Sequence, residues 1–214
     1  KSFDISSGFT PQSGIIMSSR PGDFDPQVIT YLQEKEKMHY SAINELLVKK
    51  SGFLGISGHS TEIWELEKAA QEGNERALLA IDVFIYQVKK YIGSFIALMN
   101  GLDSLVFTGG IGENDAFIRE KICHNLDQLG ILIDNQKNQS SDSLPKPIHD
   151  NGSQVEVWVI PTNEELMIAR ETYAFLQTLT GVIHCAPAFY ILLLECDLSS
   201  PFLFSHCEES NLFG

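Results

Sequence analysis

The sequence predicts an α/β fold, and two kinds of pattern support this prediction. A short apolar run at Ser104 to Phe107 indicates a buried strand, and the alternating pattern from Val155 to Ile160 indicates a second strand. Longer segments around them repeat apolar residues every three or four positions, which is typical of amphipathic helices. Because strands and helices alternate along the chain, we expect a sheet with a mostly parallel central pair and helices packed on it.

Four helices are predicted before residue 101. Asp25 and Pro26 form a helix start, since Asp caps a helix well and Pro fits its first position. The expected helices run from about residue 26 to 36, 41 to 50, 60 to 71 and 74 to 100. In the last and longest one, the apolar stripe that includes Leu78 and Met99 is interpreted as a core-facing surface rather than a ligand site.

The remaining segments are predicted from the same signals. Residues 1–10 are expected to form a strand and its exit, and a helix is expected from Glu113 to about Leu129. A short strand is predicted at residues 131–133. Residues 135–153 are rich in Asn, Ser, Asp and Pro, which indicates a surface loop, and a helix is predicted from Asn163 to Gln177.

Composition excludes several classes of function. The chain has 214 residues, enough for one or two domains, and a formal net charge of −13, which disfavours binding to nucleic acid. No apolar stretch approaches the ~20 residues that span a bilayer, so no membrane partner is expected. The four cysteines have no paired spacing typical of zinc sites. Without a disulfide framework or a signal peptide, we expect a cytoplasmic protein.

The most informative segment is the run from Val106 to Asn114. An apolar strand leads into three glycines within four residues, and a helical segment follows. Such a turn can bring bare backbone N–H groups and a helix N-terminus close to a phosphate. The dinucleotide fingerprint G-x-G-x-x-G is not met, because Asp115 stands at its third glycine, so a dinucleotide oxidoreductase is disfavoured. No Walker A lysine follows either.

Three segments in the same order resemble the acetokinase family. F-T-G-G-I-G-E-N at Phe107 to Asn114 is similar to the adenosine-binding motif of acetate kinase. Asp4 to Pro11 and Ser19 to Pro26 resemble its D-T-S-M-G-F-T-P and T-R-S-G-D-I-D-P stretch, and Ile160 to Leu166 contains its P-T-N-E-E-L. The resemblance covers roughly residues 1–177.

The resemblance implies both a fold and a reaction. The expected fold is an incomplete ribonuclease H-like (actin-like ATPase) domain, with helices packed on a small mixed sheet. Acetate kinase transfers the γ-phosphoryl group of ATP to acetate, reversibly, giving acetyl phosphate and ADP with Mg²⁺ or Mn²⁺. The family is homodimeric through this portion, so the helix at 74–100 is a candidate interface element. Propionate and butyrate kinases share the motifs, and the sequence leaves this choice open.

The resemblance also assigns three residues around the transferred phosphoryl group. Arg20 matches the arginine that stabilises the transition state and binds the carboxylate or phosphate substrate, a role that suits the fixed fork of a guanidinium group. Pro11 matches part of the apolar pocket for the acyl methyl group; an ordinary turn residue is an equal alternative. Glu164 matches the magnesium-binding glutamate, whereas Glu165 is interpreted as a helix-terminal acid.

Two segments are expected to bind the nucleotide. The first consists of Gly110, Ile111, Gly112, Glu113 and Asn114. The second is the position of the family's D-x-R element, which falls on Glu62, Ile63 and Trp64. Tryptophan can stack on a base but cannot donate the charged fork of an arginine, so this difference puts nucleotide affinity or preference in doubt.

Other features favour a rival interpretation, a catalytically inactive fragment. The family's first domain supplies an Asn, an Arg, an Asp and a His to the active site, and none has a counterpart in this sequence. We therefore expect a nucleotide-binding domain at 1–180 that lacks its first strands and has little activity alone. Residues 181–214 resemble nothing in the family and are expected to be a divergent extension of unknown role.

Overall fold

The computed structural model describes residue 2 and residues 4–180, with residues 178–180 described as backbone only. Its helices are α1 (Gln27–Glu34), α2 (Tyr40–Lys49), α3 (Gly52–Ser57), α4 (Ile63–Gln71), α5 (Glu75–Met99), α6 (Gly109–Asn114), α7 (Ala116–Cys123), α8 (Asn135–Gln139) and α9 (Glu164–Thr180), with a 3₁₀ turn at Asp127–Leu129. Its strands are β1 (Ser104–Phe107), β2 (Lys146–Pro147) and β3 (Glu156–Val159). The chain divides into two compact units between Thr162 and Asn163, and α9 belongs to the second.

The first unit contains a small mixed sheet. Its strand order is β1-β3-β2, with β1 parallel to β3 and β2 antiparallel to β3. The register pairs Ser104 with Glu156 and Phe107 with Val159, so the carboxyl ends of both parallel strands meet at one edge. The α/β fold class and the parallel pair predicted from the sequence are confirmed.

The long helix α5 organises the apolar core. Asn74 caps it by accepting hydrogen bonds from the amides of Arg76 and Ala77, both at 3.1 Å. Helices α3 and α4 pack against it, and its buried side chains join those of α7 and the sheet in one core. The core-facing residues of α5 are Ala77, Ala80, Ile81 and Ile85. Leu78 and Met99, which the pattern placed on the buried stripe, are exposed instead.

The prediction of a surface loop at residues 135–153 is wrong. This segment contains α8 and β2, and Asn138, Lys146 and Ile148 are buried. Ile148 N donates to Val157 O at 2.8 Å, so the segment runs along β3 and its polar groups are satisfied inside the fold. The strand predicted at residues 131–133 is reduced to a single bridge between Ile133 and His149.

The single helix predicted from Glu113 to Leu129 is also wrong, because Asp115 divides it. Asp115 has an extended backbone (φ −109°, ψ 92°), and its Oδ1 accepts a hydrogen bond from Ile118 N at 2.9 Å. The residue therefore ends α6 and caps α7, a role that aspartate performs better than it continues a helix. Helix α6 already begins at Gly109, so Gly110 and Gly112 lie within it rather than in a preceding turn.

The strand predicted at residues 1–10 is not formed by the described residues of that segment. Their hydrogen bonds are local instead, such as that from Gly8 N to Ser13 Oγ at 2.6 Å. A strand needs a hydrogen-bonded neighbour, and the described part of the chain places none beside this segment. The predicted extension at residues 181–214 lies outside the described residues, and the boundary predicted near residue 180 stays a prediction. Among the described residues, no helix is both long and apolar enough to cross a membrane.

Candidate functional site

The glycine-rich motif lies at the corner between β1 and α6. The three glycines of the motif have different structural roles. Gly109 has φ +74°, a left-handed conformation that favours glycine. A Cβ on Gly112 would lie 3.3 Å from the carbonyl carbon of Phe107, so this glycine allows α6 to pack on the end of β1. A Cβ on Gly110 would meet no atom within 4 Å. The exposed Gly110 is therefore the position where a ligand could approach bare backbone.

Glu113 joins this corner to the chain that follows β3. Its Oε1 accepts hydrogen bonds from Gly109 N and from Thr162 N, both at 2.8 Å. Thr162 Oγ1 accepts a further bond from Gly109 N at 3.0 Å and hydrogen-bonds Thr108 Oγ1. The Thr162 and Gly109 donors hold the pKa of Glu113 below its usual range. The structure thus brings together two of the three segments that resemble acetate kinase.

Arg119 supports the other end of α6. Its guanidinium group is buried, with 3% of the residue exposed, and donates to Gly112 O at 2.9 Å and Glu113 O at 3.0 Å. It also donates to Asn138 Oδ1 at 2.7 Å and Asn138 O at 2.9 Å. Burial lowers the pKa of Arg119. This residue was not selected from the sequence. The available signal was its position in α7 next to Ile118, on the side of the helix that is buried, where an arginine needs hydrogen-bond acceptors.

The remaining predicted residues of α6 have distinct environments. Asn114 is exposed, and its Nδ2 donates to Gly110 O at 2.9 Å, a side-chain bond to the backbone within the same helix. Ile111 is half-buried and packs against the apolar core. The exposed side of α6 is therefore formed by the backbone near Gly110 and by the Asn114 amide.

The second predicted nucleotide segment lies at the start of α4. Glu62 is exposed at the N-cap position, where its amide donates to Ser60 Oγ at 3.0 Å. Ile63 is 8% exposed and belongs to the core, whereas the side chain of Trp64 points outward with the residue 62% exposed. Any contact of Ile63 with a ligand would therefore involve its backbone, and Trp64 offers the aromatic surface of this segment.

A pair of carboxyl groups connects α4 with the residue that ends α6. The carboxyl group of Glu67 lies close enough to that of Asp115 to feel its charge, and Glu67 Oε1 is buried without a hydrogen-bond partner among the described residues. Partial burial of Glu67 and the negative charge of Asp115 raise the pKa of Glu67 to about 7. The contact places the two predicted nucleotide segments in neighbouring parts of the first unit.

This carboxyl pair predicts a pH-dependent stability. The folded chain holds a proton on Glu67 that the unfolded chain releases above its ordinary pKa of 4.5. The stabilising contribution is therefore complete below pH 4.5 and is lost as the pH rises through about 7. We expect Glu67→Gln to raise the Tm by about 2–4 °C at pH 8 and to change it little at pH 5, measured by circular dichroism. Glu72→Gln, at the exposed end of α4, is the control; an equal rise at both pH values would contradict the prediction.

Arg20 lies in a turn that is docked on α3. Ser51 N donates to Ser19 O and Leu54 N to Ser18 O, both at 3.0 Å. The guanidinium group of Arg20 contacts Met17 Sδ at 3.6 Å, and no carboxylate in the described part of the chain pairs with it. A half-buried cation without an acidic partner is available to an anionic ligand. Pro11 lies in a separate exposed turn.

Glu164 is the first residue of α9, in the second unit. It is exposed, and Asn163 Oδ1 accepts a hydrogen bond from Leu166 N at 2.9 Å at the same helix end. Within residue 2 and residues 4–180, no three His, Cys, Asp or Glu side chains form a metal-binding group. A single carboxylate still fits Mg²⁺, which usually takes one or two protein carboxylates and completes its shell with phosphates and water.

Comparison with known proteins supports the family resemblance found in the sequence. The family model described as the acetokinase family matches residues 1–170. The acetate kinase of Caldicellulosiruptor saccharolyticus is 53% identical over 178 residues, which are 83% of this chain and 45% of that protein. The crystal structure of Porphyromonas gingivalis acetate kinase superposes with a TM-score of 0.75 at 46% identity, over 80% of this chain and 43% of that one. A propionate kinase from Francisella tularensis gives a TM-score of 0.72 at 42% identity, over 78% and 42%. The chain thus spans less than half the length of these relatives, and it belongs to the acetokinase family.

Proposed function

We propose that this chain is the nucleotide-binding portion of an acetate kinase, which transfers the γ-phosphoryl group of ATP to acetate, reversibly. The observation that carries the proposal is the bond network from Thr108, Gly109 and Glu113 to Thr162. It joins two segments of the family resemblance at the carboxyl ends of parallel strands, the edge where open α/β sheets bind ligands. Family membership supplies the reaction, and this edge supplies a position for the nucleotide.

Arg20 is proposed as the cation at the transferred phosphoryl group. Phosphoryl transfer spreads negative charge over three equatorial oxygens, and catalysis depends mainly on donors already positioned around them. Backbone hydrogen bonds from the start of α3 hold the turn that carries Arg20. Its guanidinium group has no carboxylate partner among the described residues. Pro11 is proposed to contribute to the acyl-methyl pocket, which its exposed turn permits.

Glu164 is proposed as the protein ligand of Mg²⁺ or Mn²⁺. The metal would neutralise charge on the nucleotide phosphates when bound. The exposure of Glu164 at the start of α9 leaves its carboxylate accessible to such an ion.

The two nucleotide segments are proposed to flank the adenosine of ATP or ADP. The segment Gly110–Asn114 offers bare backbone at Gly110 and the side-chain amide of Asn114, with Ile111 and Gly112 packed behind. The segment Glu62–Trp64 offers a carboxylate and an exposed indole ring, which can stack on a base.

Replacing Gly110 tests the nucleotide site directly. We expect Gly110→Leu to weaken Mg·ADP binding at least about tenfold, because the new side chain would occupy the open space beside α6. Folding should not suffer, since leucine favours helix by up to ~1 kcal/mol over glycine. Gly93→Leu in α5 is the matched control, because its Cβ also meets nothing within 4 Å. Isothermal titration calorimetry measures both variants, and equal affinities would count against the site.

The resemblance leaves the acyl substrate to experiment. The similarity to the Francisella tularensis propionate kinase makes a propionate kinase the second candidate. Turnover of acetate, propionate and butyrate by an enzyme containing this chain separates the two.

The 214-residue polypeptide by itself is proposed to be inactive or nearly so, because more than half of the length of its relatives lies outside the matched region. Near-normal acyl phosphate formation by this polypeptide would disprove that.

The active enzyme is further proposed to be a homodimer in the cytoplasm. Several apolar residues of α5 are exposed in this chain and are available to a second copy: Leu78, Leu79, Tyr86, Leu98 and Met99. A reducing compartment suits the free, buried thiol of Cys123, whose pKa burial raises to about 12. Light scattering on the enzyme measures its oligomeric state.

A further inference from the structure

Glu113 differs from its neighbours in α6 in where its side chain is bound. One carboxylate oxygen accepts two backbone donors, Gly109 N and Thr162 N, each at 2.8 Å. The Thr162 hydroxyl closes the network onto Gly109 N and Thr108 Oγ1. Thr108, Gly109, Glu113 and Thr162 are called the Glu113 bridge below. The bridge connects the residues that directly follow β1 with those that follow β3.

This geometry argues against a direct contact between Glu113 and a nucleotide. The carboxylate oxygen Oε1 already accepts two backbone N–H groups, so it is directed at the protein rather than at a ligand. Gly109 N, which heads the first turn of α6, is bonded to the bridge and is not available to a ligand. One side-chain oxygen thus holds two backbone donors from different segments, and this fixes the corner.

We propose that Glu113 is a positioning residue, which holds the β1–α6 corner against Thr162 so that the backbone at Gly110 is presented to the nucleotide. This inference rests on the proposed function, since the nucleotide site is its purpose. The corner needs such support because β1 has four residues and Gly109 adopts a left-handed backbone. Without the Glu113 carboxylate, the amides of Gly109 and Thr162 lose the acceptor that they share.

Three substitutions separate positioning from direct binding. Glu113→Gln keeps an oxygen at the same distance from the backbone and can accept both N–H groups without a charge. Glu113→Asp keeps the charge but is one methylene too short to reach both donors. Glu113→Ala removes the acceptor altogether. Positioning therefore predicts that Gln is tolerated better than Asp or Ala, whereas direct binding through the charge predicts that Gln fails as Ala does.

Amide hydrogen exchange in the 214-residue chain tests the bridge without any nucleotide. We expect the Thr162 amide to exchange at least about tenfold faster in Glu113→Ala and less than about threefold faster in Glu113→Gln. The Gly109 amide should show a smaller rise in Glu113→Ala, because it keeps Thr162 Oγ1 as a second acceptor. The Ile118 amide is the internal control, because the Asp115 carboxylate caps it in the same way at 2.9 Å. Unchanged exchange of both bridge amides in Glu113→Ala would overturn the inference.

Calorimetric titration with Mg·ADP then tests the consequence for binding. We expect Glu113→Gln to bind within about threefold of the wild type and Glu113→Ala at least about tenfold more weakly. Equal losses in Gln and Ala would identify Glu113 as a direct ligand and overturn the positioning role. If the wild type binds no Mg·ADP although the exchange result is as expected, the proposed function fails and the positioning role for a nucleotide falls with it, leaving a structural bridge.

Discussion

Gly52→Ala is expected to destabilise the chain by more than about 4 kcal/mol, measured by urea denaturation. A Cβ at this position would lie 1.9 Å from Met17 O and 2.7 Å from Arg20 O. Backbone atoms cannot move aside cheaply, so the turn that carries Arg20 must separate from α3. The left-handed backbone of Gly52 (φ +60°) adds about 1–2 kcal/mol of strain for any residue with a Cβ.

Gly58→Ala provides the matched control for this substitution. Gly58 also has a left-handed backbone, with φ +63° at the end of the same helix α3, but a Cβ there meets nothing within 4 Å. We expect it to cost only the strain of about 1–2 kcal/mol. The difference between the two variants isolates the contact between α3 and the Arg20 turn. Equal losses would show that this contact contributes little.

Arg119→Met is the second substitution with a large expected effect, a loss of about 3 kcal/mol. It leaves four acceptors without their donor: the carbonyl oxygens of Gly112, Glu113 and Asn138 and the side-chain oxygen of Asn138. Unpaired buried polar groups each cost about 1–3 kcal/mol, and relief from burying the cation offsets part of the total. Because two of these acceptors end α6, we expect weaker Mg·ADP binding as well.

Arg76→Met is the control for the loss of an arginine. Arg76 also donates to two backbone carbonyls, Ile56 O at 2.8 Å and Gly55 O at 3.3 Å, but its side chain is exposed. Water can replace those bonds, so we expect a loss below about 1 kcal/mol in urea denaturation. A similar loss in both variants would contradict the structural importance assigned to the burial of Arg119.

Local patterns predicted the elements whose determinants are close in sequence. The apolar run that marks β1 and the apolar periodicity that marks α5 are both signals of this kind. The fold class and the family followed from such patterns and are confirmed. The helix predicted through Asp115 failed because helical spacing continued on both sides, and the capping preference of one aspartate decided the break.

The support of the candidate site depends on contacts that are distant in sequence. Glu113 meets Thr162 across 49 positions, and Arg119 meets Asn138 across 19. No local pattern encodes such pairs, so the Glu113–Thr162 contact was not predicted and Arg119 was not selected. The three glycines of the motif were equally ambiguous, because only the packing shows that Gly112 faces Phe107 while Gly110 faces open space.

The most direct test of the proposed nucleotide site is a titration of the ¹⁵N-labelled chain with Mg·ADP, followed by amide chemical shifts. We expect the largest changes at the amides of Gly110–Asn114 and Glu62–Trp64, the two segments next to the Glu67–Asp115 pair. Changes confined to the cavity lined by Asp23, Tyr86 and Tyr91, which shares no residue with either segment, or no changes at about 1 mM Mg·ADP, would contradict the proposed site.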